Sequence, residues 1–100
     1  MNIHNRGTLI KFWEKHSDTK KSLELWYNDV KSKSWKKPND VIDDFSTADI
    51  IKNDRVVFNI KGNKYRLVAS INYQKGWVFI KFIGTHAEYD HIDASTIEVY

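Results

Sequence analysis

Apolar residues recur at helical spacing in the first third of the chain and at strand spacing in its second half. From Thr8, the positions Leu9, Phe12 and Trp13 follow an i, i+3, i+4 pattern that predicts an amphipathic helix running to about His16. Ser17 and Asp18 are turn and N-cap residue types, and beyond them Leu23, Trp26, Tyr27 and Val30 form the apolar stripe of a second helix, with Lys20, Lys21, Glu24 and Lys31 facing water. That helix is predicted to end near Lys33, because Pro38 and the residue before it resist helical geometry. Asn39 is placed to cap a short third helix carrying Val41, Ile42 and Phe45, followed by a polar loop through Asp49. Ahead of the helices, Met1 to His4 could form a short edge strand that Asn5 and Gly7 would end.

From Arg55 onward the period changes. Val56 to Ile60, Tyr65 to Asn72 and Trp77 to Ile83 are rich in β-branched and aromatic residues, with Gly62-Asn63 and Lys75-Gly76 in the breaks, which predicts a three-stranded antiparallel meander. A two-residue loop at Gly62-Asn63 would set Lys61 opposite Lys64, Ile60 opposite Tyr65, Asn59 opposite Arg66, Phe58 opposite Leu67 and Val57 opposite Val68. Alternation then gives a core face of Val56, Phe58, Ile60, Tyr65, Leu67 and Ala69, and a second face of Asn59, Lys61, Lys64 and Arg66 with Val57 and Val68 beneath them. A four-residue connection from Tyr73 to Gly76 would place Asn72 opposite Trp77 and Val68 opposite Lys81, so that Val78, Ile80 and Phe82 join the core while Trp77, Phe79 and Lys81 join the cationic face.

Composition bounds what such a chain can be. One hundred residues give room for one domain and one hydrophobic core, spanning residues 1–100. The absence of cysteine excludes disulfides, thiolate metal sites and a thiol nucleophile. No apolar run approaches a membrane span, and the first residues lack a signal-peptide core, so a soluble cytoplasmic protein with no membrane partner is expected. The net charge of +3 is unevenly spread: residues 56–84 carry five cations and no acid, whereas residues from Thr85 onward carry four acids and no Lys or Arg. A basic sheet face interleaved with rings suits a nucleic-acid strand, with cations meeting phosphates and rings stacking on bases. An exposed sheet face is also commonly polar, with lysines protecting it from aggregation. Arg66 speaks for the first reading, since its own segment offers it no acid, although Asp43, Asp44 or Glu88 could reach it.

The polar ending holds His86, Tyr89 and His91. RNA cleavage without a metal requires a proton taken from the 2′-hydroxyl, charge stabilised on the phosphorane and a proton given to the 5′-oxygen. Histidine, with an ordinary pKa near 6.5, serves either proton step, and tyrosine serves less readily unless cations lower its pKa. His86 and Tyr89 are three apart, so one helical turn would bring them to the same side just past the strand carrying Lys81. A metal site from His86, Glu88, Asp90 and His91 is a competing use of the same segment, although the spacing matches no compact helical ligand pair.

Trp35-Lys36-Lys37-Pro38, Val57-Phe58-Asn59-Ile60 with Gly62-Asn63, Tyr65-Arg66-Leu67-Val68-Ala69 and Thr85-His86-Ala87-Glu88-Tyr89-Asp90, in that order and spacing, resemble the HigB family of toxin-antitoxin toxins within the RelE-like superfamily. The resemblance implies an α+β, RelE-like fold with N-terminal helices packed on a curved, mainly antiparallel sheet. It implies a ribosome-dependent mRNA endonuclease that works without a metal or other cofactor and is neutralised by a HigA-like helix-turn-helix antitoxin. By position Arg66 would stabilise the scissile phosphate and His86 and Tyr89 would serve proton transfer or base positioning, with Lys36, Lys37, Asn59, Lys61, Lys64 and Lys81 binding RNA. Lys81 stands where relatives often carry arginine, keeping the charge but losing the two-pronged fork. A non-catalytic RNA- or ribosome-binding module, or a scaffold docking an acidic partner, would use the same basic face.

Overall fold

In the computed structural model, which describes residues 1–98, the second half of the chain and its first few residues build one five-stranded sheet. The strands are β1 (Asn2–His4), β2 (Asp49–Ile51), β3 (Arg55–Ile60), β4 (Tyr65–Asn72) and β5 (Trp77–Thr85), in spatial order β1-β5-β4-β3-β2. Neighbours are antiparallel except that β1 lies parallel to β5. Three helices, α1 (Arg6–Lys15), α2 (Lys20–Lys31) and α3 (Pro38–Asp44), precede the meander, and a single turn, α4 (His86–Tyr89), continues directly from β5. This is the expected α+β arrangement. Among the described residues no helix is long and apolar enough to cross a membrane.

The helical stripe and the sheet's core face meet as the periodicities require. Leu9, Leu23, Trp26 and Val30 pack on Phe58, Leu67, Ala69, Ile71, Val78 and Ile80, all buried. Phe58 is the hub, with the rings of Trp26 and Phe45 edge-on at 5.3 and 5.2 Å. Loss of a buried phenylalanine of this kind costs about 3–5 kcal/mol. The third helix starts two residues earlier than a cap at Asn39 would place it: Lys37 is the cap and Pro38 takes the first position, where the missing N–H is harmless, and the Asp40 carboxylate accepts from the backbone N–H groups of Lys36 and Lys37.

Between β3 and β4 the predicted register holds throughout, from Ile60 opposite Tyr65 to Val57 opposite Val68. The turn differs in one respect, because Lys61 as well as Gly62 lies in the left-handed region, at φ 55° and 71°. Glycine suits that region, whereas Lys61 there leaves the strand's alternation. Between β4 and β5 the register begins as expected, with Asn72 opposite Trp77, but a bulge between Val68 and Ala69 sets Val68 opposite Phe82 rather than Lys81. Lys81 is the extra residue. Phe82 is thereby turned out of the helical core onto the second face, and Ile83 joins the core instead. The segment expected to be loop through Asp49 becomes β2 from that residue onward, pairing Asp49 with Val57 along an edge of β3 that would otherwise be unpaired.

The second face is not simply open to water. Ile92, Ala94 and Ile97 lie against Val57, Val68, Phe82 and Tyr89 to form a smaller apolar cluster. Arg55, only 6% exposed, fastens this segment by donating to the carbonyls of Ala94, at 3.2 Å, and Ile97 and to the Glu98 carboxylate at 3.0 Å.

Candidate active site

Arg66 occupies the central strand β4, between Asn59 on β3 and Gly84 on β5. Its side chain stays at the surface on the second face. Nη2 lies 3.1 Å from His86 Nε2, and the guanidinium carbon sits 5.1 Å from the centre of the Tyr89 ring. Neither Asp43, Asp44 nor Glu88 reaches it, and among the described residues Arg66 makes no ion pair. Its Nε is buried without a hydrogen-bond acceptor among them. The guanidinium thus keeps donor capacity for an anionic ligand.

The sequence Thr85-His86-Ala87-Glu88 places the other two residues. Thr85 Oγ1 accepts from the Glu88 N–H at 3.1 Å and Glu88 Oε1 accepts from the Thr85 N–H at 2.8 Å, a reciprocal capping box that starts the helical turn where β5 ends. The His86 N–H donates to the Lys64 carbonyl at 3.2 Å, tying the turn to the start of β4. Positions three apart then share a side, and His86 and Tyr89 both meet Arg66. Gly84 lets the Phe82 ring and the capping carboxylate close over the strand, since a Cβ there would fall 2.5 Å from the Phe82 ring and 3.2 Å from Glu88 Oε1.

Hydrogen bonding fixes the histidine tautomer. Arginine can only donate, so Nε2 of His86 must be the acceptor, and the ring proton resides on Nδ1, which lies 3.5 Å from Asp90 Oδ2. An imidazole lone pair therefore points at the same place as the guanidinium. Among the described residues no three histidine or carboxylate groups converge in metal-holding geometry.

The remaining predicted residues are dispersed. Lys61 and Lys64 turn to the helical side of the sheet, where both pair with Asp18 Oδ2, at 3.1 and 3.5 Å, and Tyr65 Oη donates to the same carboxylate. Those bonds hold the Asp18 carboxyl at about 2, with Lys61 the largest cause and Tyr65 the next. They correct the expectation that the two lysines share a face with Arg66; the left-handed backbone at Lys61 and the carboxylate at the α1–α2 corner together explain it. Asn59 donates to the Thr47 carbonyl at 3.1 Å. Lys36 borders the same shallow cavity as Met1, Asn2 and Gly76, at the sheet end away from Arg66, and Lys37 is exposed at the start of α3. Lys81 does lie on the second face, with Nζ 2.6 Å from Glu98 Oε2, and this lysine is the largest cause lowering the Glu98 carboxyl below its usual range.

Three contributions escaped sequence reasoning: Asp90 as the partner of His86 rather than a metal ligand, Gly84, and Thr85 with Glu88 as a capping pair. The last had a signal, since Thr-x-x-Glu after a strand marks a helix start.

Known proteins carry the same arrangement of sequence. A family model described as HigB_toxin, RelE-like toxic component of a toxin-antitoxin system, matches residues 19–92, which include Arg66, His86 and Tyr89. The chain is 31% identical over 96 residues to the mRNA interferase toxin HigB of Escherichia coli strain K12, covering 94% of this chain and 92% of that one. It is 28% identical over 94 residues to the mRNA interferase HigB of Escherichia coli O6:H1, covering 92% and 91% of the two chains. The mRNA interferase HigB of Shigella flexneri is 31% identical over 96 residues, with 94% and 92% covered.

Proposed function

The chain belongs to the HigB family of RelE-like toxins, and from that membership together with the Arg66–His86–Tyr89 cluster we infer that it is an mRNA interferase, an endoribonuclease that halts translation by cutting messenger RNA. The observation that carries the chemistry is the contact of Arg66 Nη2 with His86 Nε2 at 3.1 Å, with no carboxylate among the described residues paired to the guanidinium. A phosphate entering the cluster competes for Arg66 as a charged acceptor, stronger than a neutral ring nitrogen. Arg66 then moves onto the phosphate, and the freed Nε2 lone pair accepts the 2′-hydroxyl proton. The 2′-oxygen attacks phosphorus, the charge that grows on the phosphoryl oxygens is met by the guanidinium, and the bond to the 5′-oxygen breaks as that oxygen takes a proton from water, to which the exposed cluster is open. Tyr89 supports Arg66 by cation–π contact of its ring with the guanidinium.

No step of this scheme draws on a metal. The cluster is exposed and small, so substrate placement falls to a larger partner, and the reading includes dependence on the ribosome, which presents the message in the cytoplasm. A toxic component of a toxin-antitoxin system has an antitoxin as partner; here it is taken to be a HigA-like helix-turn-helix protein.

Primer extension on transcripts from cells briefly expressing the protein tests the reading. New 5′ ends that vanish with Arg66→Ala, and are not restored by Arg66→Lys, are the expected result, because lysine lacks the fork that spans two phosphoryl oxygens. Intact transcripts during growth arrest would mean a module that binds RNA or the ribosome without cutting.

A further inference from the structure

At the sheet end away from Arg66, three rings gather outside both apolar clusters. His4 stacks on Phe79 with centroids 4.6 Å apart and planes at 17°, and Trp77 stands edge-on to both, at 5.9 and 6.0 Å. Trp77 and Phe79 belong to neither core and remain half-buried on the second face. Two lysines lie over them: Lys75 Nζ is 4.7 Å from the Trp77 ring centre and Lys81 Nζ is 5.7 Å from that of Phe79. Beside Phe79 opens a cavity of about 390 Å³ whose walls include Asp54, Ser70, Asn72 and Gln74.

Holding β1 against β5 does not require these rings. Backbone pairing of Asn2 to His4 with Trp77 to Phe79 does that, aided by the Asn2 N–H on the Gly76 carbonyl and Asn5 Nδ2 on the Ile80 carbonyl. The His4 Nε2 atom is buried without a partner among the described residues, which a purely structural ring would gain nothing from.

We propose that Trp77 and Phe79, backed by His4 and flanked by Lys75, form a nucleobase subsite that holds one base of the substrate message apart from the scissile phosphate. The proposal rests on the reading of the protein as an mRNA interferase and adds to it a second contact. Aromatic faces bind any base by stacking, the amide and hydroxyl groups of the cavity match the hydrogen-bonding edge of a base, and Lys75 meets a flanking phosphate. From Phe79 to Gly84, the neighbour of Arg66, is five residues along β5, roughly 16 Å, which a few nucleotides of extended strand cover.

Fluorescence anisotropy of a labelled ten-nucleotide 2′-O-methyl oligoadenylate, which lacks the attacking hydroxyl and so stays intact, tests it directly. Trp77→Leu and Phe79→Leu are each expected to weaken binding about tenfold and to abolish the wild-type preference for oligoadenylate over oligouridylate, a readout of stacking that a structural role would not move. Lys75→Ala, at an exposed turn position where folding is not at stake, is expected to weaken binding of both oligomers. Variants that bind like the wild type overturn the subsite and leave Arg66-dependent cleavage standing; a wild type that cuts no message in the primer-extension test sinks the activity beneath it instead. A defect seen only on ribosomes, with oligonucleotide affinity intact, would assign the rings to ribosomal RNA and also overturn the proposal.

Discussion

Asp90 follows His86 by one helical turn and brings Oδ2 to 3.5 Å from the ring Nδ1. The carboxylate's charge favours a proton on Nδ1, in keeping with Nε2 as the acceptor that Arg66 engages. An asparagine at this position can offer its amide N–H to Nδ1 and so favour the opposite tautomer, whose Nε2–H would face the Arg66 donor. Asp90→Asn is therefore expected to slow cleavage on programmed ribosomes by roughly tenfold, well short of the effect of a buried orienting aspartate. His86→Ala should cost about a hundredfold or more. Equal rates for Asp90→Asn and wild type would detach Asp90 from the chemistry.

How far the chain could be read before its structure was known depended on whether the cause was local. Gly62-Asn63 fixes the β3–β4 hairpin within a few residues, so Arg66 and Asn59 were legible as neighbours on one face. The His86–Tyr89 spacing was likewise local. By contrast, nothing in Ile80-Lys81-Phe82 marks a bulge, because the register with it and the register without it both leave an apolar residue to bury. The pull of Asp18 on Lys61 and Lys64 spans more than forty residues of sequence. Ile92, Ala94 and Ile97 have no strand or helix period, and their cover over Val57 and Val68 is set by the clamp of Arg55. Pairing of β2 is a tertiary event that its three residues do not announce.

Gly84 is the glycine whose added Cβ would meet neighbouring atoms. A Cβ would stand 2.5 Å from Phe82 Cζ and 3.2 Å from the Glu88 oxygen that caps Thr85. Gly84→Ala is expected to lower stability by about 1–3 kcal/mol and to cut cleavage further than that loss explains, since the cap that sets His86 is displaced. Adding Phe82→Leu should recover part of both losses, and thermal melts alongside cleavage rates would show the coupling. A double variant no better than Gly84→Ala would remove the clash as the cause.

Asp18 contributes to the response to acid. Its carboxyl titrates at about 2 in the folded protein against an ordinary 3.8, with Lys61 and Tyr65 as the leading causes. A depressed carboxyl contributes stability that is fully present above the unfolded pKa and is lost as pH falls through the folded one. The difference in melting temperature between wild type and Asp18→Asn should thus be constant above pH about 5 and shrink from about 3.8 toward 2. A difference that persists undiminished at the acid end would mean that packing, rather than charge, fastens the turn.

Glu98 gives one oxygen to Arg55 and the other to Lys81, so a carboxylate occupies the one ion pair Lys81 makes among the described residues. The two cations differ in what they do with it. Arg55 is buried and still donates to the Ala94 and Ile97 carbonyls, so the segment keeps its clamp when Glu98 loses its charge. Lys81 is released on the face that carries Arg66. Glu98→Gln is accordingly expected to tighten binding of uncleavable oligonucleotide and to steepen its salt dependence by about one phosphate contact, a change near −0.7 in the log–log slope for single strands. Adding Lys81→Ala should cancel both gains. A slope that does not change in Glu98→Gln would mean that Lys81 reaches no phosphate, and that its pairing with Glu98 serves only to hold the chain's last described residues in place.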